Sequence, residues 1–181
     1  MIEKFGQISS ELIFKNPYWD YKKDVYKLPN NENGEYHYIE TSGSVFVIPI
    51  FNSKLILVNQ FRYLNQQFSL EFPGGGINPN FNTAMNAQKE LSEESGFKSN
   101  KLSLIGKFNP FNGVTNEFCF VFLAEELIKY QANADASEEF EILNLTVQEF
   151  EQKIADGTIW DGMTLAAWSL FKYSKYFKEI M

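Results

Sequence analysis

Alternation of apolar and polar positions marks the first forty residues. Over residues 11–14, 18–28 and 35–41 aromatic or aliphatic side chains interleave with charged ones, and the turn sequences Asn16-Pro17 and Pro29-Asn30-Asn31-Glu32-Asn33-Gly34 separate them. The pattern predicts a small antiparallel β unit with Tyr21, Tyr26, Tyr36 and Tyr38 on its strands. From Ser44 the alternation gives way to continuous apolar runs at 45–50 and 55–61, split by the tight turn Asn52-Ser53. Such runs predict strands buried on both faces of a central sheet.

A short strand at 68–72 leads into Pro73-Gly74-Gly75-Gly76, which reads as the start of a loop running to Asn82. The spacing then predicts a helix over Thr83–Ser95, with Asn82 as N-cap and Gly96 as its stop. At about 100° per residue, Ala84, Ala87, Gln88 and Leu91 share the anchoring face, and Glu90, Glu93 and Glu94 crowd the flank beside it. Strands follow at 102–108 and 118–124, joined by the Asn/Pro/Gly loop 109–116. Next come an acidic stretch at 135–141, a strand at 142–145, a helix capped by Thr146 and Glu149, and a final helix over 162–177. An α/β layered domain over 44–181, preceded by a β unit over 1–43, is the expected organisation.

Composition narrows the function classes. The chain has 181 residues, 44% hydrophobic and 22% charged, enough to bury one main core without disulfides or structural zinc. A net charge of -7 argues against a protein that coats nucleic acid, because backbone binding needs clustered Lys and Arg. Only one cysteine, Cys119, and one histidine, His37, are present. A Cys-rich zinc site, a disulfide framework and a Ser-His triad are thereby disfavoured. No segment has signal-peptide character or approaches the roughly 20 apolar residues of a membrane span, which predicts a cytoplasmic protein without membrane partners.

The chemistry concentrates in the predicted helix. Glu90, Glu93 and Glu94 stand at i, i+3 and i+4, so their side chains meet. Like charges in the last helical turn oppose the macrodipole as well as one another. A hard divalent cation would relieve both conflicts; a solvated acidic face is the alternative. The glycines upstream favour the cation, because backbone without Cβ can approach a ligand and offer carbonyl oxygens.

In this context residues 75–97, GGINPNFNTAMNAQKELSEESGF, resemble the signature box of the Nudix hydrolases, with Gly75, Glu90, Leu91, Glu93, Glu94, Gly96 and Phe97 in register. The box departs from the family pattern at Phe81, where the family has Glu, and at Lys89, where it has Arg. Lys keeps the charge but loses the planar fork. Segments LIFKNPYWDYKKDVYKL, LVNQFRY, SLEFPGGG and VTNEFCFVFLAEEL extend the resemblance to the branch holding ADP-ribose pyrophosphatases and nucleotide-sugar diphosphatases.

That resemblance implies a Nudix-type α/β/α sandwich with a mixed sheet, and an N-terminal unit exchanged across a homodimer. It implies Mg²⁺, with Mn²⁺ as substitute, on Glu90 and Glu94, with Glu93 as further ligand or helper and the Gly74 carbonyl as backbone ligand. Arg62 and Glu71 fall at substrate-binding positions, Arg62 on a phosphate or the distal group. Tyr18, Tyr36 and then Trp19 are candidates for base stacking, with core or dimer packing as the alternative. The water-activating carboxylate is expected on the loop 136–141 as Glu138, with Glu139 the alternative. The branch has a proline where this chain has Asn112, with Pro110 two residues earlier, so ADP-ribose and nucleotide sugars both stay open as small-molecule substrates. Phe81 and Lys89 keep open a second class, a nucleotide sensor that binds without cleaving.

Overall fold

The computed structural model describes residues 4–131 and 141–180. The chain divides into two compact units, one of Met1–Gly43 with Asn109–Phe118, the other of Ser44–Phe108 with Cys119–Met181.

The first unit is a three-stranded antiparallel sheet in the order β1 (Gly6–Lys15), β2 (Asp20–Lys27), β3 (Asn33–Glu40). Asn16 turns the chain between β1 and β2: its Oδ1 accepts the N–H groups of Tyr18 at 2.8 Å and Trp19 at 2.9 Å, a side chain standing in for backbone in a tight turn. Strand β1 starts well before the predicted 11–14. Its pairing shifts register between Gln7 and Ser9 and again between Leu12 and Phe14, and such bulges scramble the alternation that would reveal a strand. The segment Asn109–Phe118 is held to β3. The Ile39 N–H donates to the Val114 carbonyl at 2.8 Å, and the Tyr36 hydroxyl donates to the Gly113 carbonyl at 3.0 Å.

In the second unit the elements are β4 (Ser44–Phe51), β5 (Lys54–Arg62), β6 (Gln67–Glu71), β7 (Gly74–Gly76), α1 (Thr83–Ser95), β8 (Phe97–Phe108), β9 (Cys119–Lys129), β10 (Glu141–Leu145), α2 (Val147–Ala155), α3 (Gly162–Lys172) and α4 (Lys175–Ile180). The sheet order is β10-β5-β4-β9-β8, with β6 paired to β5 and β7 to β4. Strands β4 and β9 run parallel and their other neighbours antiparallel, so the sheet is mixed.

Strand β4 explains the layering. Val45 and Val47 face one way, onto Ala87 and Leu91 of α1. Phe46, Ile48 and Ile50 face the other, in one cluster with Phe150 of α2 and Trp168 and Phe171 of α3. Both faces are covered, which is why the run reads as continuously apolar. The result is an α/β/α sandwich.

Further details depart from the sequence-based expectation. The Gly run is not wholly a loop, since Gly74–Gly76 pairs with β4 as β7. The final helix is two, because at the end of α3 the Ser174 N–H donates to the Phe171 carbonyl at 3.0 Å, a tighter turn that closes the helix. The anchoring face of α1 is also rotated: Ala84 is exposed, whereas Asn86, Ala87, Leu91 and Glu94 are buried.

The capping box of α2 is formed as its sequence predicts. Thr146 Oγ1 accepts the Glu149 N–H at 3.2 Å, and Glu149 Oε2 accepts the Thr146 N–H at 2.8 Å. The Thr146 backbone bond first, and then its hydroxyl, hold the Glu149 carboxyl below its ordinary value. A carboxyl depressed in the folded state contributes stability above its unfolded pKa and loses it as pH falls through the folded one. The Tm gap between wild type and Glu149→Ala should therefore be widest near neutrality and close in acid. A gap independent of pH would refute the assignment.

Candidate active site

Helix α1 is fixed at both ends by short-range chemistry. Asn82 Oδ1 accepts the Met85 N–H at 2.8 Å, and Gly96, at φ 70°, ends the helix in the left-handed region that glycine enters without steric cost. Glu90 and Glu94, one turn apart, come up against β7. Glu94 is 8% exposed, and its Oε2 accepts the Gly74 N–H at 3.0 Å. Glu90 lies against Gly75 so closely that a Cβ there would sit 2.6 Å from its Oε2. At Gly74 a Cβ would meet the Val45 carbonyl oxygen at 2.5 Å. Gly74 is therefore required by contact with the backbone, whereas Gly75 leaves room for the Glu90 carboxylate, with no special φ at either position.

A prediction follows for Gly75→Ala. The added methyl meets only the end of a flexible side chain, so the fold should survive while the Glu90 carboxylate is pushed aside. Any activity that depends on a fixed Glu90 carboxylate should fall about 10–100-fold, the range for disturbing the support of such a ligand, with Tm nearly unchanged. Wild-type turnover in the alanine variant would show that Glu90 has no fixed position to lose.

Glu93 takes a different course. Lys89 Nζ donates to its Oε2 at 2.6 Å and lies 3.6 Å from Glu90 Oε1. The Glu93 bond first, opposed by burial and helped by the charge of Glu90, raises the Lys89 pKa above its ordinary value. The three glutamates thus separate into an inner pair facing the glycines and an outer residue paired with Lys89. Phe81 is 42% exposed. Among the described residues no group of three or more His, Cys, Asp or Glu side chains is drawn together as around an ion. The inner pair still offers hard carboxylate oxygens beside backbone, a donor set suited to a hard divalent cation.

Arg62 closes β5, and Glu71 ends the adjacent β6. Arg62 Nε donates to Glu71 Oε1 at 2.7 Å, its Nη2 donates to Oε2, and Gln60 Nε2 reaches Oε2 at 3.4 Å. Glu71 is only 1% exposed, whereas the Arg62 side chain is 43% exposed. The buried carboxylate binds Nε and Nη2 of a guanidinium whose side chain is itself partly exposed. The Glu71 hydrogen bond, opposed by burial and aided by the charges of Glu71, Asp161 and Glu94, raises the Arg62 pKa. Asp161 and Thr164 carry no sequence signal beyond a cap. Asp161 Oδ2 accepts the Thr164 N–H at 2.7 Å, and Thr164 Oγ1 accepts the Phe72 N–H at 3.2 Å, which fastens α3 to the chain just past Glu71.

In the first unit Tyr18 and Trp19 line a hollow of about 330 Å³ with Lys15, Asp20, Glu40 and Ser42. Tyr18 is 85% exposed and Trp19 packs on Phe14 at a ring distance of 5.9 Å. Tyr36 lies outside that hollow, its hydroxyl bound to Gly113. His37 bonds the Tyr21 hydroxyl through Nδ1 at 2.8 Å on the strand surface. Asn112 belongs to the segment held on β3. Glu138 and Glu139 lie outside the described residues.

Comparison with known proteins identifies the family. Residues 41–166 match the family model described as NUDIX domain. The chain is 30% identical over 164 residues to the ADP-ribose pyrophosphatase of Bacillus subtilis (strain 168), covering 88% of each chain. It is 28% identical over 163 residues to the methanol dehydrogenase activator of Bacillus methanolicus, again covering 88% of each. The crystal structure of an ADP compounds hydrolase shares the fold, with a TM-score of 0.87 over 99% of this chain and 97% of that one at 19% identity. The chain belongs to the NUDIX domain family and is a Nudix hydrolase, an enzyme group that generally uses a divalent metal. No helix among the described residues is long and apolar enough to cross a membrane.

Proposed function

We propose that this chain hydrolyses the diphosphate linkage of a small nucleoside diphosphate derivative, ADP-ribose or a nucleotide sugar, in the cytoplasm with Mg²⁺ or Mn²⁺. The observation that carries the reading is the inner pair of α1: Glu90 abuts Gly75 and buried Glu94 binds the Gly74 N–H. Glu90, Glu94 and the Gly74 carbonyl would hold the cation, with Glu93 as outer helper. When bound, the cation neutralises diphosphate oxygens and lowers the pKa of a water.

The chain's own groups supply the rest. Arg62, held by Glu71 and partly exposed, offers its guanidinium to a phosphate oxygen and stabilises the charge that develops there. Glu138, or Glu139 in its place, accepts the proton of the attacking water. The water oxygen bonds to phosphorus as the bridging P–O bond breaks, and ADP-ribose yields AMP and ribose 5-phosphate. Tyr18 and Trp19, with Tyr36 further along the same unit, supply aromatic faces for the base.

A homodimer completes the reading. Phe5, Ile8, Leu12 and Phe14 on or beside β1 are each more than half exposed, and so many exposed apolar side chains on one short segment call for cover. A second copy, applied through the 1–43 unit, is the cover proposed. Light scattering that gave a monomer at every concentration would remove it.

The deciding experiment incubates the protein with Mg²⁺ or Mn²⁺ and a panel of ADP-ribose, nucleotide sugars and dinucleotides, and identifies both products by mass spectrometry. Cleavage within the diphosphate, dependent on metal, is expected. Failure to turn over any member would sink the proposal.

A further inference from the structure

Asn86 is a polar residue that the reaction does not use, yet it is 1% exposed in the first turn of α1, next to Met85 at 51%. Its Oδ1 accepts the Asn78 N–H at 2.9 Å. Its Nδ2 donates to the carbonyls of Asn82 at 3.0 Å, Asn78 at 3.2 Å and Phe81 at 3.3 Å. Two amide hydrogens serve three acceptors, so one bond is shared and the amide is saturated. A buried amide satisfied wholly by one loop fixes that loop, because any slippage leaves several buried groups unpaired at once.

The spacing gives this clamp a role. Asn86, Glu90 and Glu94 stand at i, i+4 and i+8, so they lie above one another on a single face of α1. Going up that face, Glu94 binds the Gly74 N–H, Glu90 abuts Gly75, and Asn86 holds the loop that returns from β7 to the helix. The exposed Phe81 side chain lies in the loop so held, and Lys89 is engaged with Glu93, so neither supplies a polar tie between loop and helix.

We propose that Asn86 is a positioning residue for the metal site: it sets the height and rotation of α1 against Gly74 and Gly75, and through them the placement of the Glu90 and Glu94 carboxylates. The inference rests on the metal-site reading given above, and Asn86 itself touches neither metal nor substrate.

The test uses Mn²⁺ alone, titrated into the full chain and followed by the loss of the free-ion paramagnetic resonance signal. Asn86→Ala is compared with Asn82→Ala, which weakens the same helix by removing its N-cap while leaving the clamp's backbone acceptors in place. Asn86→Ala should raise the Mn²⁺ Kd about tenfold, as loss of support for ligands does; Asn82→Ala should stay within about twofold of wild type. Should Asn86→Ala fail to fold, Asn86→Ser, which keeps one short polar group, is read in the same way. An unchanged Kd at position 86, or equal losses in both variants, overturns the positioning role. A wild type that binds no Mn²⁺ instead overturns the metal-site reading, and this inference with it.

Discussion

Replacing Glu94 by Gln is expected to lower turnover about 10³-fold, the upper range for removing one preorganised charge-stabilising group from an active site, with the folded structure intact. The separation of the two effects comes from the bond to Gly74. A glutamine at 94 retains an amide oxygen that can accept the Gly74 N–H, now at 3.0 Å from the carboxylate, so β7 stays docked on α1. What is lost is the carboxylate of a residue that is 8% exposed, and with it, on the proposed reading, a hard oxygen ligand for the cation. Thermal melts should coincide within a few degrees, while metal-dependent product formation collapses. Equal, non-zero turnover in wild type and variant would mean that the carboxylate at 94 has no chemical task; ligand-dependent thermal stabilisation with no product from either protein would move the chain to the nucleotide-sensor class.

How far the sequence reaches depends on whether a feature is encoded locally. Helix α1 runs from Thr83 to Ser95 because Asn82 and Gly96 are cap residues with local chemistry, and both were readable. Strands β4 and β5 announce themselves by burial on both faces. Strand β7 does not, since Gly-Gly-Gly has no side-chain period and its composition signals a turn; only pairing with β4 makes it a strand. The same holds in the site. The box spacing assembles Glu90 and Glu94 within one helix, whereas the split that sends Glu93 to Lys89 depends on which side of α1 meets the glycines. Arg62 and Glu71 are brought together by the β5–β6 register, which pairs Arg62 with Gln67 and Val58 with Glu71. Their fork therefore crosses strands on a diagonal that no linear spacing announces. Asn86 carried no signal either, because a lone Asn in a helix reads as surface until a loop closes over it.

The Arg62–Glu71 pair gives the second large expected effect, and it falls on both stability and catalysis. Arg62→Ala would leave Glu71, 1% exposed, without its two guanidinium bonds and with only the long contact to Gln60. Stranding a buried carboxylate in this way costs about 2–3 kcal/mol, somewhat under the usual range for a fully buried pair because the arginine itself is half exposed. Arg62→Lys keeps the charge but replaces a planar fork by a single ammonium, so it should recover part of the stability and little of the geometry. KM for the diphosphate substrate should rise about 10–100-fold in the lysine variant and further in the alanine variant, as expected on losing a charge-assisted bond worth roughly 2 kcal/mol. The double variant Arg62→Ala with Glu71→Gln separates the two effects. Removing both charges should restore much of the lost Tm while KM stays high, because the buried carboxylate is no longer stranded but the phosphate contact is still missing. If KM recovered together with Tm, Arg62 would be a structural partner of Glu71 and nothing more. If neither recovered, the destabilisation would come from lost packing of the arginine stem and not from the uncompensated charge.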